Sequence, residues 1–262
     1  MGTWQSVGTS WKVAAHGLAV VGCGAFVNLL AGLAALPLAG QGDRVTAPLL
    51  AAGLLLGLVN VLVMPLVQGG YLAFAHSRLS SEPPRSALAS FWEGARRSYG
   101  RLLGFEALTI AMIMVLGIVG VLVFGLAGLS APQGPAVSVT LTLLATAPVG
   151  IGLYGVLLIT TMAPVSIVVE GLGVGRAIRR GLRVGRAIIG KVVLVTGALL
   201  LTLIPAMILV AVPGVLQAGG GATGVVWRFI GVVLQSVATA VSTVLFAVAL
   251  VQLYRHRTGS SS

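Results

Sequence analysis

Residues 163–191 read APVSIVVEGLGVGRAIRRGLRVGRAIIGK. An apolar run ends at one acid, Glu170. A glycine-rich turn follows, and then Arg176, Arg179, Arg180, Arg183, Arg186 and Lys191. At 100° per residue the five arginines occupy an arc of about 120°. Val174, Ile178, Leu182, Gly185, Ile188 and Ile189 fall on the other side. Such a helix is expected to lie flat at a membrane surface, its apolar side at the acyl boundary and its arginines toward phosphates and water. The other apolar segments can be hung on either side of it.

Composition agrees with that placement. Hydrophobic residues make up 57% of the 262 and charged residues 8%, with a mean hydropathy of +1.07. A soluble domain carries about 25% charge. The net charge of +11 sits in short basic clusters between long apolar runs, a distribution that argues for a membrane and against nucleic acid. The lone Cys23 rules out a disulfide framework and a paired-cysteine metal or redox motif. The opening MGTWQSVGTSWK lacks the charged region of a cleaved signal peptide, and the tail 259–262 is expected to be disordered.

Six apolar segments are long enough for a ~30 Å hydrocarbon core, which takes ~20 residues each. They cover roughly 13–38, 48–75, 102–129, 137–169, 191–213 and 225–253. Lys12 precedes the first, and Arg78, Arg85, Arg96, Arg97 and Arg101 lie between the second and third. Arg176 through Lys191 separate the fourth and fifth, and Arg255 and Arg257 follow the sixth. Fourteen of the sixteen basic residues thus share one side, with Arg44 and Arg228 on the other. The positive-inside rule then predicts a multi-pass protein of the cell membrane with both termini cytoplasmic.

The segment 85–101, RSALASFWEGARRSYGR, repeats the opening theme. Leu88, Phe91, Trp92, Ala95 and Tyr99 share one helical face, and Arg97 and Arg101 the other. Each basic stretch leads into a span, GRLL at 100–103 matching GKVV at 190–193. The expected fold is therefore all-α: one integral membrane domain over 1–258 with six transmembrane helices and interfacial amphipathic helices. Three repeats of surface helix plus hairpin would cover 1–84, 85–172 and 173–258.

Intramembrane polar groups are few, and each is a candidate site by default. Glu106 lies a few residues into the third span, within reach of Arg101. Glu170 is placed to form a structural ion pair with a following arginine. Asn28 and Asn60 fall at similar depth in one hairpin, with Gln235 near that level, so the amides form either structural glue or a polar path. His16, His76 and His256 lack metal-ligand spacing, and 171–175 lacks the lysine and preceding strand of a phosphate-binding loop. No serine–histidine–aspartate set or paired catalytic carboxylates occur. We expect no enzyme activity, cofactor or metal.

The run from Pro164 to Arg183 resembles a recurring "Pro, apolar run, Glu, turn, Ala, Arg" pattern of bacterial six-helix proteins. These are the membrane domain found with glycerophosphodiester phosphodiesterases and its stand-alone relatives. LVQLYRHR at 250–257 is similar to their Leu-Tyr-x-x-Arg ending, and the pattern departs at Gly181, where a serine would follow the arginine. The resemblance implies the fold and the cytoplasmic surface helices. It transfers no catalytic residue, because the phosphodiesterase chemistry belongs to a separate soluble barrel.

Two functional readings follow. The first is a non-catalytic scaffold or partner-binding protein, binding anionic membrane lipids through Arg96, Arg97, Arg101, Arg176, Arg179, Arg180, Arg183, Arg186 and Lys191, with a membrane protein or a second copy as partner. The alternative is a small transporter or channel with a path near Asn28, Asn60 and Gln235. A lipid-modifying enzyme using Glu106 or Glu170 ranks third.

Overall fold

A chain this apolar must satisfy its backbone amides within each segment, and helices do so. The computed structural model describes residues 3–39, 47–80, 86–129, 135–216 and 221–259. Arg44, Arg85, residues 130–134 and tail residues 260–262 lie outside that set. The described chain is helical: α1 Thr3–His16, α2 Leu18–Ala39, α3 Ala47–Leu79, α4 Ala87–Leu129, α5 Pro135–Val169, α6 Val174–Leu216 and α7 Gly221–Thr258. Five stretches, in α3 through α7, are long and apolar enough to cross a membrane.

The expected first span, 13–38, begins too early. Helices α1 and α2 meet at 83° around Gly17, so residues 13–16 belong to α1. The Gly17 amide donates to Ala14 O at 3.0 Å, and Gly17 O accepts from the amides of Val20 and Val21 at 2.8 and 3.0 Å, stitching the corner closed. A Cβ at Gly17 would strike the Phe74 ring on α3, so the corner needs a glycine.

At the other two junctions the helix does not break. α4 and α6 are 43 residues each, about 65 Å at 1.5 Å per residue and roughly twice a hydrocarbon core. Basic stretch and span are thus one continuous helix in α4 and in α6, and among the described residues only α1 is a separate short helix ahead of a long apolar one. Ser86 caps α4, its Oγ accepting from the Ala89 amide at 3.2 Å.

Packing divides the chain into two compact units, one of Met1–Tyr99 with Ile188–Ser262 and one of Gly100–Ala187. Their boundaries fall inside α4 and α6 rather than at the repeat boundaries read from the sequence. In the first unit α7 contacts α1, α2 and α3, and α2 contacts α3. Its core includes Val20, Tyr71, Phe74, Val244, Leu245, Val248 and Tyr254. In the second, Leu102, Phe105, Ile159, Ala163, Ile167 and Ala177 form the core, with Ile178 and Leu182 packed against it.

The buried positions recur. Phe91, Ala95, Ser98, Leu102, Phe105 and Thr109 are buried, a 4-3-4-3-4 spacing that holds one face of a helix. Ninety residues on, Gly181, Gly185, Ile188, Val192, Val195 and Leu199 are buried at the same spacing. Ser6, Ser10, Gly17, Val20 and Gly24 follow it in the first segment, with Val13 half-buried. The residue just ahead of positions 17, 102 and 192 is exposed and basic each time: His16, Arg101 and Lys191.

Candidate functional site

The arginine face of α6 starts at a tight turn. α5 ends at Val169, the Glu170 amide donates to Ser166 O at 3.1 Å, and Gly171 takes the left-handed conformation at φ 65°. A side chain there would be strained, which makes Gly171 the natural helix stop. Arg101 Nη1 donates to Gly171 O at 2.6 Å. Arg101, exposed and expected to bind headgroups, also helps to hold this turn. One of its five N–H donors is used there, and Glu106 is half-buried farther along α4.

Glu170 Oε1 lies 3.2 Å from Arg180 Nη2, across the turn. Both side chains are about a third exposed (29% and 34%), so the pair stabilises only modestly. Its partner is thus Arg180, two turns along α6, and not the first arginine, Arg176. Arg176, Arg179, Arg183, Arg186 and Lys191 are exposed.

Part of the other side of this stretch packs against protein. Within the second unit, Gly181 approaches the α5 backbone so closely that a Cβ would sit 2.9 Å from Ala163 N. Gly185 faces Leu158 with room for a Cβ at an ordinary 3.4 Å, and Ser166 Oγ, bonded to Ala163 O at 2.9 Å, also points at Ala177 O, 3.4 Å away. Of the apolar face expected at the lipid boundary, Gly185 and Ile188 are buried, and Val174, Ile178, Leu182 and Ile189 are half-buried. Ala177, Gly181, Val184 and Gly185 are buried in protein, leaving the arginines on the outside.

The stretch 87–99 docks comparably on α3, within the first unit. The Phe91 ring enters above Gly70 and meets Tyr71 edge-on at 5.7 Å, while Gly94 lies against Ala73. Leu88 and Trp92 stay exposed, and the Arg96 guanidinium sits over the Trp92 ring at 5.4 Å. Arg96 and Arg97 are exposed. The third basic segment, α1, contacts α7, and Trp11 Nε1 points at Thr202 Oγ1 of α6, 3.4 Å away.

The intramembrane amides separate into two groups. Asn28 and Gln235 line one cavity of about 180 Å³ together with Val232, Ser236 and Thr239. Asn60 is exposed on α3 and is not among its lining residues. Ser236 Oγ donates to Val232 O at 2.6 Å, so the cavity's polarity rests on Asn28, Gln235 and Thr239. Thr239 was not singled out from the sequence, although it lies one turn from Gln235 on the same face of α7. Among the described residues no cluster of histidine, cysteine, aspartate or glutamate could hold a metal ion.

Five long apolar helices and a bent sixth candidate are the make-up of a helical, multi-pass membrane protein. The chain belongs to the family described as Domain of unknown function (DUF7847), whose model matches residues 3–257. No curated protein and no solved structure matches it. The kinship with phosphodiesterase-associated membrane domains stays a likeness of short motifs.

Proposed function

We propose that this chain is a non-catalytic membrane scaffold, crossing six times with both termini cytoplasmic, that holds anionic lipid headgroups on the arginine face of α6. One observation carries this reading. Arg176, Arg179, Arg183 and Arg186 are exposed on a helix whose opposite side is docked in part on α5, and none of the four has an acidic partner among the described residues. A connector needs only enough charge to stay cytoplasmic. A docked helix instead offers forked donors from a fixed backbone, each worth ~1 kcal/mol near an anionic surface. The recurring burial spacing, with His16, Arg101 or Lys191 at each junction, supports three repeats and a sixth span beginning in α2.

The Arg176→Gln/Arg179→Gln/Arg183→Gln variant tests it, since Arg180 stays with Glu170. The full chain is purified from anionic membranes and its bound phosphatidylglycerol is quantified. The variant should retain less, and high salt should reduce retention by wild type in the same way. Equal retention by both proteins at every salt concentration overturns the lipid role and leaves a protein partner for that face.

The Asn28–Gln235–Thr239 cavity supports a second reading, a small transporter or channel. Asn28→Leu and Gln235→Leu would then abolish solute flux in liposomes while leaving thermal stability near that of wild type. Under the scaffold reading the two changes alter stability alone, by about 0.6 kcal/mol if the amides are coupled.

A further inference from the structure

We propose a phosphate-binding site between α6 and α7, separate from the arginine face, formed by Lys191, Gln252, His256 and Arg257. These four residues, with Ile188 and Leu253, line a cavity of about 170 Å³ within the first unit. Positions 252, 253, 256 and 257 fall on one face of α7, and 188 and 191 lie one turn apart on α6. Two helices therefore bring three basic side chains and a carboxamide to one opening, and none of the six lining residues is acidic. Lys191, His256 and Arg257 are exposed, whereas Gln252 is only 8% exposed.

That arrangement suits a phosphate ester. Arg257 offers a planar fork that matches two phosphate oxygens, and Lys191 a mobile ammonium. The buried Gln252 side chain lines the protein side of the opening. Ile188 and Leu253 provide an apolar flank, which inorganic phosphate does not use and the ester side of a lipid headgroup does. The site lies where the expected fifth span starts and the sixth ends, at headgroup depth. The phosphate can come from an anionic phospholipid or from free inorganic phosphate, and the apolar flank favours the lipid. The proposal rests on the membrane placement given above, but not on the lipid role of the α6 arginines.

The test uses the full chain in nanodiscs of phosphatidylcholine containing a minority of phosphatidylglycerol, with bound phosphatidylglycerol counted by native mass spectrometry. Wild type should keep one phosphatidylglycerol through a salt wash that strips the rest. Lys191→Gln/Arg257→Gln should weaken that retention by about tenfold, and Lys191→Arg/Arg257→Lys should restore most of it, separating a lost charge from a misfolded protein. If millimolar inorganic phosphate displaces the lipid, and binds wild type but not the glutamine variant in pure phosphatidylcholine discs, the site stands with a soluble ligand. Retention and phosphate binding unchanged in the glutamine variant overturn the site. The Arg176→Gln/Arg179→Gln/Arg183→Gln variant should keep the salt-resistant lipid. If it behaves as wild type throughout while the Lys191/Arg257 variant loses that lipid, the arginine-face reading fails and this site survives.

Discussion

Residues 87–99 and 174–187 solve one packing problem with the bulk on opposite partners. In the first, the basic helix supplies the large group: Phe91 enters above Gly70 of α3. In the second, the basic helix supplies the gap: Gly181 lets the backbone of Ala163 in α5 come close. The exposed sides differ as well. One presents Leu88, Trp92, Glu93, Arg96 and Arg97, a mixed surface suited to headgroup depth, and the other an almost unbroken run of arginines. An amphipathic period therefore specifies that a face will be covered. Whether lipid or protein covers it depends on the size of the side chains along that face, because small residues invite a backbone and large ones need a hole.

Breaking the first solution should have the largest effect. Phe91→Ala removes a ring that is 3% exposed and edge-on to Tyr71, and should cost about 3–5 kcal/mol of stability in detergent unfolding. A loss below ~1 kcal/mol would show that the stretch 87–99 is not docked on α3. Breaking the second should cost less. Gly181→Val places methyl groups against the α5 backbone and should destabilise by about 1–3 kcal/mol, with no matching effect from Gly175→Val, whose site is open. If the two valine variants unfold alike, close approach at Gly181 is not what seats the helix. Arg180→Gln sharpens the comparison most gently, with an expected loss of about 0.2–1 kcal/mol for a partly exposed pair. A larger loss would mean that Glu170 and Arg180 hold the turn rather than decorate it.

Much of this arrangement was legible in the residues. Apolar length located the long helices, and four of the five arginines in the arc, all but Arg180, are exposed, because both features depend on period and composition alone. The 83° corner was missed because Gly17 sits among ordinary small residues, and its need for a glycine comes from Phe74, 57 residues away. The bond from Arg101 to Gly171 O was illegible for the same reason: the partner is 70 residues distant and is a backbone atom. Asn28 and Asn60 were matched by depth, but depth does not fix rotation about the helix axis, and rotation brings Asn28 to Gln235 instead. The face made by Gln252, His256 and Arg257 had a signal, their four- and five-residue spacing, although its meaning required Lys191 from another helix.

Everything proposed for the basic residues depends on their lying together on the cytoplasmic side. In a Cys23→Ala background, single cysteines at Gly175 and Gly259 report on the basic segments, and cysteines at Gly134 and Gly219 on the segments expected on the other side of the membrane. Intact cells are treated with a membrane-impermeant maleimide, and the labelling is repeated after the membrane is broken. The account predicts labelling at 134 and 219 in intact cells, and at 175 and 259 only after lysis. Labelling of 175 or 259 in intact cells, with 134 and 219 protected, would contradict it.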